Sequence, residues 1–172
     1  CVFCDPIIVI DIEMNDLILF TDCSVNTRTK VGVGAFLLVD NIELELDFYK
    51  SCIKTKCFEN TSSTKLELQT LLWALEEIHT KDKVIIYTDS QNIIGLPNRR
   101  ERLEQNNYLT THNTRLNNFE LYKTFYKITD EINCEFRQLS GHKNSDQKDF
   151  ADKLFTLVDR AARKALRNEN KK

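Results

Sequence analysis

Short apolar runs, continuous or alternating with polar residues, stand at LILFTD (17–22), VGVGAFLLV (31–39), IELELDFYK (42–50), KVIIYTD (83–89) and CEFRQLS (134–140). Each reads as a β-strand. The third alternates strictly at Ile42, Leu44, Leu46 and Phe48, and Asp40-Asn41 before it predicts a tight turn. Other stretches repeat at helical spacing. Leu68, Leu71, Leu72, Leu75 and Ile78 form one stripe over 64–78, and Phe119, Tyr122, Phe125, Tyr126 and Ile128 form another in FELYKTFYKITDEI. Phe150, Leu154, Leu157, Val158 and Ala161 form a third over 146–167, and residues 91–131 read as helical with an interruption around NNYLTTHNTRLNN. Three strands, a helix, a strand, helices, a strand and a helix, in that order, predict an α/β fold. Its core would be a five-stranded mixed sheet, the first three strands antiparallel, with helices on both faces.

Length changes this picture little, because 172 residues suffice for one domain with a buried core. That domain is expected over 17–167, with 1–16 as an extension of no evident role and 168–172 as a tail. No segment is long and apolar enough to cross a bilayer, so a soluble cytoplasmic monomer without a membrane partner is expected. The chain opens on Cys1 rather than Met, which is compatible with a fragment. Cys1, Cys4, Cys23, Cys52, Cys57 and Cys134 follow no disulfide framework and read as reduced thiols. Cys1-Val-Phe-Cys4 has the spacing of half a zinc site, but no second pair completes it.

The net charge of −2 argues against holding nucleic acid by bulk charge. Its distribution is uneven: residues 1–50 carry three basic against nine acidic residues, and residues 131–172 carry ten basic against seven acidic. The basic C-terminal part could attract phosphate locally or could be an ordinary solvated helix face.

Two of the strands, LILFTD and VIIYTD, finish on carboxylates, Asp22 and Asp89. Taken singly, each could be a strand-ending Asx turn. Thr64 and Glu67 fit a capping box, Asp152 could be a solvated helical residue, and His142, after Ser140-Gly141, could be a surface histidine. Jointly, the four carboxylates could converge at one edge of the sheet. Two carboxylates about 4 Å apart repel by roughly 4 kcal/mol at an effective dielectric near 20, so such convergence calls for a cation. Hard oxygen donors suit Mg²⁺ or Mn²⁺, and a pair of such ions is the arrangement that cleaves phosphodiesters.

Taken in order, LILFTDCSV, VGVGAFLLV, SSTKLELQTLLWALE, VIIYTDSQN and LSGHKNSDQKDFADKLFTLVDRAARKAL resemble ribonuclease H of type 1 over residues 17–167, with Asp152 ten residues beyond His142 as in that family. The resemblance implies a site of Asp22, Glu67, Asp89 and Asp152 holding two Mg²⁺ ions, with Mn²⁺ as a substitute. It also implies that His142 assists proton transfer and product release. Ser24, Ser62, Ser63, Thr64 and Gln91 would touch an RNA–DNA hybrid, and Arg99, Arg100 and Arg102 would lie in a hybrid-gripping protrusion. The implied reaction is endonucleolytic hydrolysis of the RNA strand, leaving 5′-phosphate and 3′-hydroxyl ends, with slight sequence preference.

Two departures stand out. Cys23 occupies a position often Gly in the family, and Arg99, Arg100 and Arg102 alternate with Glu101 and Glu104, which implies a weaker grip on hybrid. Other readings of the same residues are a silent hybrid-binding or interaction module, the ribonuclease H domain of a reverse transcriptase-like protein, and a DNA nuclease of the same fold.

Overall fold

Two-residue alternation along the central strands sorts their side chains onto two faces, and a layer of helices covers each. The computed structural model describes residues 16–40, 45–79, 83–139 and 149–171. Its strands are β1 (Leu17–Asn26), β2 (Val31–Val39), β3 (Lys54–Phe58), β4 (Val84–Thr88) and β5 (Cys134–Gln138). Its helices are α1 (Leu46–Cys52), α2 (Ser63–Glu76), α3 (Gln91–Ile94), α4 (Leu96–Gln105), α5 (Phe119–Glu131) and α6 (Phe150–Glu169). The sheet order is β3-β2-β1-β4-β5. β2 is antiparallel to β1 and β3, whereas β4 is parallel to β1 and β5, which is the mixed sheet expected. No helix among the described residues is long and apolar enough to cross a membrane.

On one face, Ile18, Phe20, Ala35, Leu37, Val39, Ile85 and Tyr87 pack against Tyr49 of α1 and Ala151, Leu154, Val158 and Ala162 of α6. On the other, Leu19, Phe36, Val84 and Ile86 pack against Leu68, Leu71, Leu72 and Leu75 of α2, with Phe125 and Tyr126 of α5 beyond. The two glycines of VGVG explain how closely α2 approaches. A Cβ on Gly32 would stand 2.4 Å from Leu66 Cδ2, and one on Gly34 would stand 2.1 Å from Thr70 Oγ1. Only glycine leaves room for the first two turns of α2 there, and those turns carry Glu67.

The expected third strand over 42–50 is corrected. Residues 46–50 belong to α1, residues 42–44 lie outside the described residues, and the third strand of the sheet is Lys54–Phe58. The connection from β2 to β3 therefore contains a helix rather than the tight turn expected at Asp40-Asn41. Strict alternation needs a sheet face to bury it, and here Leu46 and Phe48 remain 37% and 51% exposed while Tyr49 is buried at 2%. Tyr49 packs edge-on against Phe150 of α6, and that contact favours the helical turn over the strand. The true third strand, KTKCF, is an exposed edge whose lysines discourage further pairing.

Candidate active site

Parallel pairing aligns Phe20 with Tyr87, whose rings stack 5.1 Å apart, and the same register carried two residues further brings Asp22 level with Asp89. Because Ile18 and Phe20 face α6, alternation sends Asp22 to that side; Ile85 and Tyr87 direct Asp89 likewise. Opposite Asp22 on β2 stands Ala35, small enough to leave the carboxylate space.

Asp22 Oδ1 accepts a hydrogen bond from its neighbour's backbone, Cys23 N, at 2.7 Å. Burial pushes the Asp22 carboxyl up to about 8, and the charges of Asp89 and Asp159 act in the same direction. Asp89 is also raised, again chiefly by burial. Cys23 reports on the same field: burial and the charges of Asp22, Glu67 and Asp89 push its thiol up, so it stays protonated.

Glu67 enters from the opposite helical layer. Its Oε2 accepts from Ser90 Oγ at 2.6 Å, while Ser90 Oγ also accepts from Ile93 N at 3.3 Å and so caps α3. One hydroxyl thus ties the end of β4, the start of α3 and the Glu67 carboxylate together. The capping-box alternative for Thr64 and Glu67 does not hold, because the N-cap of α2 is Ser62.

Asp152 lies buried in the first turn of α6, where Asp152 N donates to Asp149 Oδ1 at 2.8 Å and Asp149 N donates to Asp152 Oδ2 at 3.2 Å. It takes part in a capping box, while the α6 carboxylate hydrogen-bonded to Asp22 is Asp159. Ser140, Gly141 and His142 lie outside the described residues, as do Cys1 and Cys4.

Ser24 is half-buried on β1, Ser62, Ser63 and Thr64 are exposed at the start of α2, and Gln91 is exposed at the start of α3. Ser62 and Thr64 share a cleft of about 740 Å³ with Thr110, Thr114, Arg115 and Asn118 across from them. Of the three expected cationic contacts, Arg99 donates to Asn92 Oδ1 at 2.8 Å and Gly95 O at 3.1 Å, closing the end of α3. Arg100 donates to Glu104 at 2.9 Å and Asp130 at 2.8 Å, and Arg102 is exposed.

Sequence reasoning missed Ser90, Asp159 and the far wall of the cleft. Asp159 carried a usable signal, since seven residues after Asp152 is two helical turns and the same flank of α6. Ser90 carried a weaker one, as an N-cap residue at the start of a helical stretch.

The donor set suits a hard divalent cation: carboxylate oxygens, with negative charge gathered around a buried Asp22. Among the described residues, no three His, Cys, Asp or Glu side chains stand in an arrangement that could hold one metal ion as they are.

The family model for RNase H matches residues 14–165. The chain is 30% identical over 158 residues to a protein named ribonuclease H from Orientia tsutsugamushi (strain Boryong), covering 90% of this chain and 89% of that one. It is 24% identical over 145 residues to one of the same name from Caldicellulosiruptor saccharolyticus, covering 82% and 94%. A third, from Chlorobium phaeobacteroides (strain BS1), is 26% identical over 142 residues, covering 80% and 91%.

Proposed function

Because the chain belongs to the ribonuclease H family, we propose that it is a hydrolase that cuts the RNA strand of RNA–DNA hybrids internally, leaving 5′-phosphate and 3′-hydroxyl ends. The observation that carries this reading onto particular residues is the gathering of Asp22, Glu67 and Asp89 around the adjoining ends of β1 and β4, all three acting on the Cys23 thiol. A core-building sheet has no use for three acids at one edge unless they do chemistry.

Asp22, Glu67, Asp89 and Asp152 are the residues that would hold two divalent cations, Mg²⁺ or Mn²⁺, which when bound supply an activated water and stabilise the leaving oxygen. The chain's own contribution is orientation. Ser90 holds the Glu67 carboxylate, the Cys23 backbone N–H holds Asp22, and the capping box holds Asp152 at the start of α6. The polar cleft between Ser62, Thr64 and residues 110–118 is wide and shallow in character, as suits a duplex backbone read by shape rather than base edges. His142, by its place in the family motif, is proposed as the proton-transferring group.

A second reading, a module that binds hybrid without cutting it, draws support from the lack of a closed three-ligand group among the described residues. One experiment separates the two: incubation of a hybrid labelled on the RNA strand with the protein and Mg²⁺ or Mn²⁺, beside Asp89→Asn. Cleavage by the parent and at least about a hundredfold less by the variant is expected, the scale on which removing a principal electrostatic group acts. Hybrid binding by both proteins with cleavage by neither would make it the silent module.

A further inference from the structure

The helix α6 lies along the face of the sheet to which Asp22 and Asp89 point. It anchors there through Leu154, Val158 and Ala162, packed against a cluster that includes Ile18, Phe20 and Ile85. Asp159 directly follows the buried Val158 and stands about 10 Å along the helix axis from Asp152, seven residues at 1.5 Å each. The two acids share one flank of α6 but occupy different depths along it.

At its depth Asp159 meets the candidate site. Its carboxyl hydrogen-bonds that of Asp22, and its charge is felt by Asp89. Its Oδ1 accepts from Arg163 Nε at 2.6 Å, one turn further on. The bland reading of Asp159 and Arg163 is an exposed helical ion pair worth a few tenths of a kcal/mol. Its surroundings argue otherwise. The Asp159 side chain is only 24% exposed against 64% for Arg163, and it turns toward another carboxylate rather than toward solvent. Two carboxylates in contact must share either a proton or a cation. Asp152, meanwhile, is engaged with Asp149 at the helix start.

We propose that Asp159 is an additional carboxylate of the cation site, steadied by Arg163 and contributing, together with Asp22 and Asp89, to holding the divalent ion. The proposal rests on the ribonuclease H reading and extends its ligand set by a residue that the family motif does not mark. Arg163 is then a positioning residue: it holds one oxygen of Asp159 and leaves the other toward Asp22.

Mn²⁺ titration of the full chain, followed by the electron paramagnetic resonance signal of free Mn²⁺, tests this without relying on turnover. Asp159→Asn keeps the size of the side chain and can still bond Asp22, so the fold should persist, and a thermal melt in EDTA checks that it does. Asp159→Asn is expected to weaken Mn²⁺ binding by about tenfold or more, and Arg163→Gln by a smaller factor, as supporting groups around a metal commonly do. Should Asp159→Asn fail to fold, Arg163→Gln decides alone, with weakened binding expected and unchanged binding overturning the proposal. Unchanged Mn²⁺ affinity in Asp159→Asn, with Asp89→Asn weakened, would return Asp159 to an ordinary ion pair and leave the ribonuclease H reading standing. Tighter binding in Asp159→Asn would mean that Asp159 competes with the cation, which also overturns the proposal. A parent protein that binds no Mn²⁺ would remove the metal reading itself, and the proposal with it.

Discussion

Asp22 sits in a folded environment that keeps its proton to about 8, whereas its ordinary value is 3.8. Between those values the folded chain binds a proton that the unfolded chain has released, so stability falls as pH rises through that window. In EDTA, the melting temperature should therefore decline from about pH 5 to about pH 8, and Asp22→Asn should flatten the decline. An unaltered slope in the variant would assign the dependence to other groups. Ser90 supports a second residue-scale prediction, since its hydroxyl serves both Glu67 and the start of α3. Ser90→Ala should cost about 1 kcal/mol in a denaturant titration through the lost cap. It should also lower hybrid cleavage by about tenfold through the loosened Glu67. Loss of stability without loss of rate would mean that Glu67 orients itself.

Among the elements, the fit of α2 against β2 decides where Glu67 stands. Gly34→Ala would drive a methyl group into Thr70 Oγ1, with Thr70 Cγ2 and Cβ close behind at 2.9 and 3.0 Å. It should destabilise the chain by about 1–3 kcal/mol, as overpacking does. Combining it with Thr70→Ala should recover part of that loss, because the two substitutions share one contact. Strict additivity in the double variant would place the strain elsewhere. Element types were legible wherever periodicity was sustained: α2, α5 and α6 follow the stripes through Leu68, Phe125 and Leu154, and β1, β2, β4 and β5 follow their apolar runs. The stretch 42–50 was misread because alternation over a few residues cannot distinguish a sheet face from a helix anchored by one aromatic. Tyr49 against Phe150 is a contact across about a hundred residues of sequence, beyond the reach of any local pattern.

At the scale of the whole molecule, a chain of net charge −2 must hold a polyanion through local groups rather than overall attraction. The arginines expected to do so are partly occupied: Arg100 is paired with Glu104 and Asp130, and Arg99 closes α3. Arg115, which lines the cleft and lies 4.7 Å over the Phe119 ring, is better placed for a phosphate. Arg115→Ala should weaken hybrid binding and reduce the dependence of log affinity on log salt by about one. Arg100→Ala should leave that slope unchanged, and equal slopes for parent and both variants would exclude the cleft from the hybrid's path.

The sequence by itself determined which side chains share a face. Period two along LILFTD and VIIYTD sends Asp22 and Asp89 to one side, and the VGVG glycines admit the helix that carries Glu67. Such facts are local, written in backbone geometry and in the absence of a Cβ. Tertiary structure alone decided depth and partnership: that Ser90 would hold Glu67, that Arg99 and Arg100 would be spent on internal bonds, and that Asp159 would be the α6 carboxylate meeting Asp22. Two acids seven residues apart look alike on a helical projection. Which of them reaches a given strand end depends on how far α6 slides along the sheet before Leu154, Val158 and Ala162 lock it, and that is a property of packing between distant segments.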